Sequence, residues 1–191
     1  MKEYRHLYTA TTKPTLVDVP RLTFLAADGA GDPDGPQFRA AVEALYPVSY
    51  AVRFALKKAR ILEYSVSPSE ALWPDTGDDR TAWHWKLMIM QPPQATPDLV
   101  ADAVAATAKK KPSTALEKLR LEDYTEGPSA QILHIGPYRD EKVTIDRLLA
   151  HIEEIGYQVA GTHHEIYLSN PQRTAPQKLK TIIRYPVSRR Q

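Results

Sequence analysis

The stretch SAQILHIGPYRDEKVTIDRLLAHIEEIGYQVAGTHHEIYL, residues 129–168, carries the grammar of the fold. Ser129–Ile135 is a short, apolar, β-prone run and reads as a strand. Gly136-Pro137 is a turn, and Asp140 stands where a helix N-cap belongs. Ile145, Leu148, Leu149, Ile152 and Ile155 then recur at helical spacing and make one apolar face. Gly156 follows at the usual place for a left-handed helix stop. Thr162–Leu168 is a second strand, closed by the turn Asn170-Pro171, and Leu179–Tyr185 is a third.

The same order appears upstream. After a polar lead-in, residues 1–19, Arg21–Ala27 reads as a strand, and DGAGDPDGP (28–36) is a loop. Pro36 opens a helix, since the N–H it lacks has no partner at that position anyway. Phe38, Ala41, Val42, Leu45 and Tyr46 give this helix its apolar face, Val48, Val52, Ala55 and Leu56 continue it, and Lys57, Lys58 and Arg60 suit its C-terminus. Pro47 is expected to kink or split it. A strand over Ile61–Trp73, a polar turn over Asp75–Arg80 and a strand over Ala82–Gln91 complete the unit. Thr96 then caps a helix with Pro97 in its first turn, and a short helix is expected from Thr114 to Leu121.

The chain is thus a duplicated β-α-β-β unit, with repeat one at about 21–92, a connector at about 93–127 and repeat two at about 128–187. This predicts one α+β domain, residues 1–191, with pseudo-two-fold symmetry and a central ligand cleft. Composition bounds the rest. A chain of 191 residues with 42% hydrophobic and 25% charged residues is ordinary for a globular domain. No apolar run approaches the roughly 20 residues that span a bilayer, and the first residues lack the apolar core of a secretory signal. The absence of cysteine excludes disulfides, thiolate metal sites and cysteine nucleophiles, and it fits a cytoplasmic location. A net charge of +2, with only short basic clusters at Lys109–Lys111 and Arg189-Arg190, argues against nucleic-acid binding. Neither a phosphate-loop pattern nor a G-x-S-x-G elbow occurs.

Chemistry concentrates in two places. In Thr162–Leu168, alternation puts His163, Glu165 and Tyr167 on one face and His164, Ile166 and Leu168 on the other. An acid flanked by His and Tyr suits a pocket that attracts a cation or activates a water. Desolvation by aromatic walls is expected to raise the pKa of Glu165. The two adjacent histidines face opposite ways and cannot chelate one ion, so no metal is expected, and no cofactor either. In the first half, Glu70 is a second acid, and Trp73, Trp83 and Trp85 are all the tryptophans. Trp83 and Trp85 are expected side by side on one strand face, and Tyr50 and Tyr138 to add hydroxyl donors. Two acids in one cavity would divide the work of protonating a leaving group and activating water.

The motifs HHEIYLSNP (163–171), GAGDPDGP (29–36), ALYPVSYAVRFALKK (44–58), SPSEALWP (67–74) and WHWKLMIMQP (83–92) resemble those of the GyrI-like small-molecule-binding domain, in its stand-alone subgroup. The resemblance covers nearly the whole chain. It implies a β-α-β-β duplication with Glu165 pointing into the pocket, and, with no helix-turn-helix ahead of it, a stand-alone binder or enzyme rather than a regulator. Subgroup members are associated with hydrolysing cyclopropane-bearing DNA-alkylating natural products, and others with sequestering drugs. Where the subgroup often has Leu-Glu-Gly-Leu-Trp-Trp, this chain has Ser69-Glu70-Ala71-Leu72-Trp73-Pro74. Both readings stand on these residues: a cofactor-free hydrolase, or a module that binds a small aromatic or cationic ligand. The oligomeric state is not readable.

Overall fold

The computed structural model describes residues 4–74, 77 and 79–190. Their elements are β1 (Thr15–Ala30), α1 (Pro36–Lys58), β2 (Ser69–Trp73), β3 (His84–Gln91), α2 (Pro97–Lys110), β4 (Arg120–Ile135), α3 (Glu141–Glu154), β5 (Tyr157–Val159), β6 (His163–Tyr167) and β7 (Lys180–Arg189). The architecture is α+β. Among the described residues, 22–124 form one compact unit, and 4–21 with 125–190 form another. Strands β1 and β4 each contribute to both.

In the first unit β3 lies between β1 and β2, antiparallel to each, with Leu25 opposite Ile89, Ala27 opposite Leu87 and Gly29 opposite Trp85. Residues facing one another across a ladder share a face. The face that carries Ser69, Trp85, Leu87, Ile89 and Gln91 is covered by α1. Tyr46 donates its hydroxyl to Ser69 Oγ at 3.2 Å, and Gln91 Nε2 donates to Ser49 Oγ at 3.1 Å. The helix buries Ala41, Ala44, Leu45, Val48, Val52 and Leu56 against it.

Pro47 does not split α1, which runs 23 residues without a break. A proline costs the helix one hydrogen bond and some crowding. The fully buried Leu45, Val48 and Val52 on either side hold the axis together. The expected strand over Ile61–Trp73 shrinks to Ser69–Trp73. Arg60 takes a left-handed conformation (φ 57°), and the Tyr64 carbonyl accepts from Arg53 Nε at 2.6 Å instead of joining a ladder. Thr96 caps α2 as expected, its side chain accepting from Leu99 N, while the helix expected from Thr114 is a short 3-10 turn, Thr114–Lys118. The expected turn over Asp75–Arg80 lies partly outside the described residues.

In the second unit β7 pairs antiparallel with β4, β5 and β6. One face carries Ala130, Ile132 and Ile183 and is covered by Leu148 and Ile152 of α3, all buried. Burying each of these isoleucine and leucine side chains stabilises the fold by about 1.5–3 kcal/mol. Asp140 sits at the N-cap of α3 without the expected side-chain bond, whereas Gly156 (φ 77°) ends the helix as its sequence predicts. The strand pair β5–β7 was not legible in advance. Among the described residues no helix is long and apolar enough to cross a membrane.

Candidate functional site

The alternation of β6 holds. His163, Glu165 and Tyr167 lie on the face that carries Ile183 and Thr181, which are their neighbours across the ladder to β7. The polar end of this face lies at the N-terminus of α3, below the Leu148 and Ile152 layer. There Glu165 accepts from both neighbours on its own strand face. His163 Nε2 is 2.9 Å from Oε1, and the Tyr167 hydroxyl donates to Oε2 at 2.7 Å. A carboxylate only accepts, so the His163 proton is on Nε2. Its Nδ1 is buried and has no partner among the described residues. The ring of Tyr138 meets Tyr167 edge-on at 5.8 Å, and the ring of His163 lies 4.9 Å from Tyr185.

A second acid completes the cluster. Glu141, the first residue of α3, is 5% exposed, and its carboxyl adjoins that of Glu165. Burial, and then the charge of Glu165, push its pKa up to about 9. Glu165 goes the other way. Burial alone would raise it, but the bonds from His163 and Tyr167, and one from the Glu141 carboxyl, hold it below the ordinary glutamate value. This corrects the sequence expectation of a raised Glu165. Aromatic walls are present, but three donors converge on the carboxylate and outweigh desolvation. The raised group is Glu141. Tyr185, half-buried and facing the same charge, is pushed up to about 12 by burial and then by that charge. The cluster therefore holds an ionised carboxylate beside a protonated one at neutral pH, the arrangement that separates a base from an acid.

Sequence reasoning missed Glu141 because it reads as an ordinary first-turn acid on an amphipathic helix. The available signal was its spacing: Glu141 stands four residues before Ile145 and seven before Leu148, in line with the apolar face of the helix. His134, also missed, sits at the same end, with Nδ1 2.8 Å from Thr144 Oγ1 and Nε2 3.3 Å from the Pro137 carbonyl.

The opposite face of β6 holds a different group. His164 Nδ1 donates to Glu126 Oε1 at 3.0 Å, and Arg184 Nη1 donates to Glu126 Oε2 at 3.1 Å. Arg184 also reaches Gln131 Oε1 and the Leu7 carbonyl. These side chains are almost wholly buried, a charge network inside the unit. Burial raises Glu126, but His164 and Arg184 hold it below its ordinary value.

The first unit gathers the tryptophans. Phe38 of α1 stacks on Trp73 at 5.6 Å (13° between planes) and meets Trp85 edge-on at 5.2 Å. Trp73 in turn meets Trp83 edge-on at 5.7 Å. Trp83 lies just before β3, with its indole N–H donating to the Gly77 carbonyl at 2.6 Å and the Arg80 guanidinium over its ring. Trp83 and Trp85 are therefore not the side-by-side pair expected of them. The 3-10 turn Arg80–Ala82 and the bond to Gly77 draw Trp83 toward Trp73, while Trp85 lies across Gly29. Glu70 is buried on β2, opposite Met88, on the face away from Trp73 and Trp85, because an odd spacing along a strand reverses the side chain. Tyr50 lies on the outer side of α1, 45% exposed, beside Phe54 rather than among the indoles. Among the described residues no group of three or more His, Asp or Glu side chains is placed to hold a metal ion.

Comparison with known proteins agrees with this architecture. A solved structure described as an uncharacterized conserved protein from Listeria innocua superposes with a TM-score of 0.91 at 34% identity, covering 98% of each chain. Another, described as a hydrolase from Listeria innocua, superposes with a TM-score of 0.88 at 33% identity, again covering 98% of each. The EcmrR C-terminal domain shares the fold at 12% identity and a TM-score of 0.60, covering 93% of this chain and 98% of that one. No curated protein sequence matches the chain. The family model for the GyrI-like small molecule binding domain matches residues 12–188, and the chain belongs to that family.

Proposed function

We propose that this protein hydrolyses small aromatic electrophiles strained by a cyclopropane ring, with Glu165 as general base and Glu141 as general acid. The observation that carries the reading is the carboxyl pair. Glu165 is ionised and fixed by His163 and Tyr167, and Glu141 beside it keeps its proton past neutrality. The description of a similar Listeria innocua structure as a hydrolase supports the class of reaction. A cytoplasmic location belongs to the same proposal and rests on the cysteine-free composition.

In the proposed step a water oxygen attacks a carbon of a three-membered ring conjugated with a carbonyl. The C–O bond forms as the strained C–C bond breaks, and the released electron pair moves to the carbonyl oxygen. Glu165 takes the proton from water, and Glu141 gives its proton to that oxygen. A proton transfer between the adjoining carboxyls restores the pair. Such positioned acid–base help is worth about 10²–10⁴-fold in rate, and release of ring strain supplies much of the remaining driving force. The rings of Tyr138, Tyr167 and Tyr185 offer flat surfaces for an aromatic body.

The test is to incubate the protein with a cyclopropane-bearing alkylator and follow the water adduct by mass spectrometry. Many turnovers are expected, falling by about 10²–10⁴-fold in Glu165→Gln. Glu70→Gln examines the acid named from sequence, and full turnover in that variant removes Glu70 from the mechanism. Stoichiometric binding without adduct sinks hydrolysis and favours a second reading, in which the protein sequesters cationic aromatic drugs. The observation behind that reading is the ionised Glu165 among tyrosine rings, which suits a cation without any reaction.

A further inference from the structure

The first unit has a cavity of about 320 Å³ between α1, α2 and the turn Thr114–Lys118. That volume lies within the roughly 300–1,000 Å³ of small-ligand sites. Pro47, Tyr50, Ala51 and Phe54 of α1 form one wall, and Ala106 and Lys110 of α2 stand across from them. Two of these residues are large, apolar and open to solvent, Tyr50 at 45% and Phe54 at 58%. Their rings are 6.3 Å apart, so the exposed surface is continuous rather than scattered.

Charge at the rim has one sign left over. Lys111 is neutralised by Glu43, its ammonium 2.8 Å from the carboxylate. Lys110 lines the same cavity, and no carboxylate pairs with it among the described residues. An apolar, ring-lined groove ending in an unneutralised ammonium suits a molecule with a flat apolar body and one anionic end.

We infer that this groove is a second ligand site, which takes a small planar aromatic acid with its rings against Tyr50 and Phe54 and its carboxylate at Lys110. Its lining comes from the first unit alone and includes none of the residues around Glu165, so the inference goes beyond the proposed hydrolysis and does not depend on it.

The test uses the intact chain and a fluorinated naphthalene carboxylate followed by fluorine NMR. Saturable one-to-one binding is expected. Ala106→Phe, at an exposed position that tolerates a larger side chain, should fill the groove and abolish binding. Lys110→Glu should weaken it by about tenfold or more, and Glu165→Gln should leave it unchanged. Binding that survives Ala106→Phe, or that is lost in Glu165→Gln, overturns the site. Equal binding of the uncharged methyl ester overturns the anionic class of ligand. A drop from dimer to monomer on Ala106→Phe in sedimentation would show the groove to be covered by a second copy of the chain, and would overturn the proposal as well.

Discussion

The Glu141 carboxyl adjoins that of Glu165, and the pair holds one proton, kept on Glu141. Two adjoining like charges in a buried setting do not both persist. The partners of Glu165 decide which acid ionises, because His163 and Tyr167 both donate to it.

That division makes Glu141→Gln a stability probe. In the fold Glu141 keeps its proton up to about pH 9, whereas the unfolded chain releases it near the ordinary value of 4.5. Between those values the unfolded state binds fewer protons, so this group makes stability fall as pH rises. Glutamine mimics the protonated form. Its thermal midpoint should exceed wild type near pH 8 by more than the roughly 2–4 °C that 1 kcal/mol gives a chain of this size, and match it in mild acid. Differential scanning calorimetry across pH checks this. A midpoint gain independent of pH would contradict the protonation assigned to Glu141.

Tyr167→Phe removes one of the bonds that hold Glu165 ionised. A hydrogen bond to a charged group is worth about 1.5–3 kcal/mol, and about 1.4 kcal/mol corresponds to one pKa unit. The acid limb of the rate–pH profile should therefore move up by about one to two units, while the alkaline limb, set by Glu141, stays in place. An unmoved acid limb would mean that Glu165 is not the base.

Arg184 and His164 together compensate buried Glu126. Arg184→Met takes one of its two charge partners from that carboxylate, leaving His164, and should cost about 3–5 kcal/mol in urea unfolding. Glu126→Leu with Arg184→Met should recover most of the loss, since no charge is then stranded. Because Glu126 is held below its ordinary value, its contribution to stability is present above about pH 4.5 and is lost as pH falls further.

Gly29 faces Trp85 across the β1–β3 ladder, and a Cβ there would stand 2.1 Å from the indole ring. Gly29→Ala must displace a ring packed on Phe38. A loss of about 1–3 kcal/mol is expected, together with a changed near-UV dichroism from the tryptophans. An unchanged spectrum would show that the ring is free to move.

The sequence by itself determined the repeated element order, the two faces of β6, and the caps at Thr96 and Gly156. Each of these follows from local chemistry: periodicity, a hydroxyl acceptor, or a residue that tolerates positive φ. Alternation put His163, Glu165 and Tyr167 together because a pleated strand leaves them no choice. Tertiary structure alone decided that the acid beside Glu165 is Glu141, that Glu165 is the ionised member, and that Trp83 turns to Trp73 rather than Trp85. Proton sharing depends on carboxyls 24 positions apart meeting in a buried place. No local pattern encodes that meeting, because it is set by how α3 packs on its sheet.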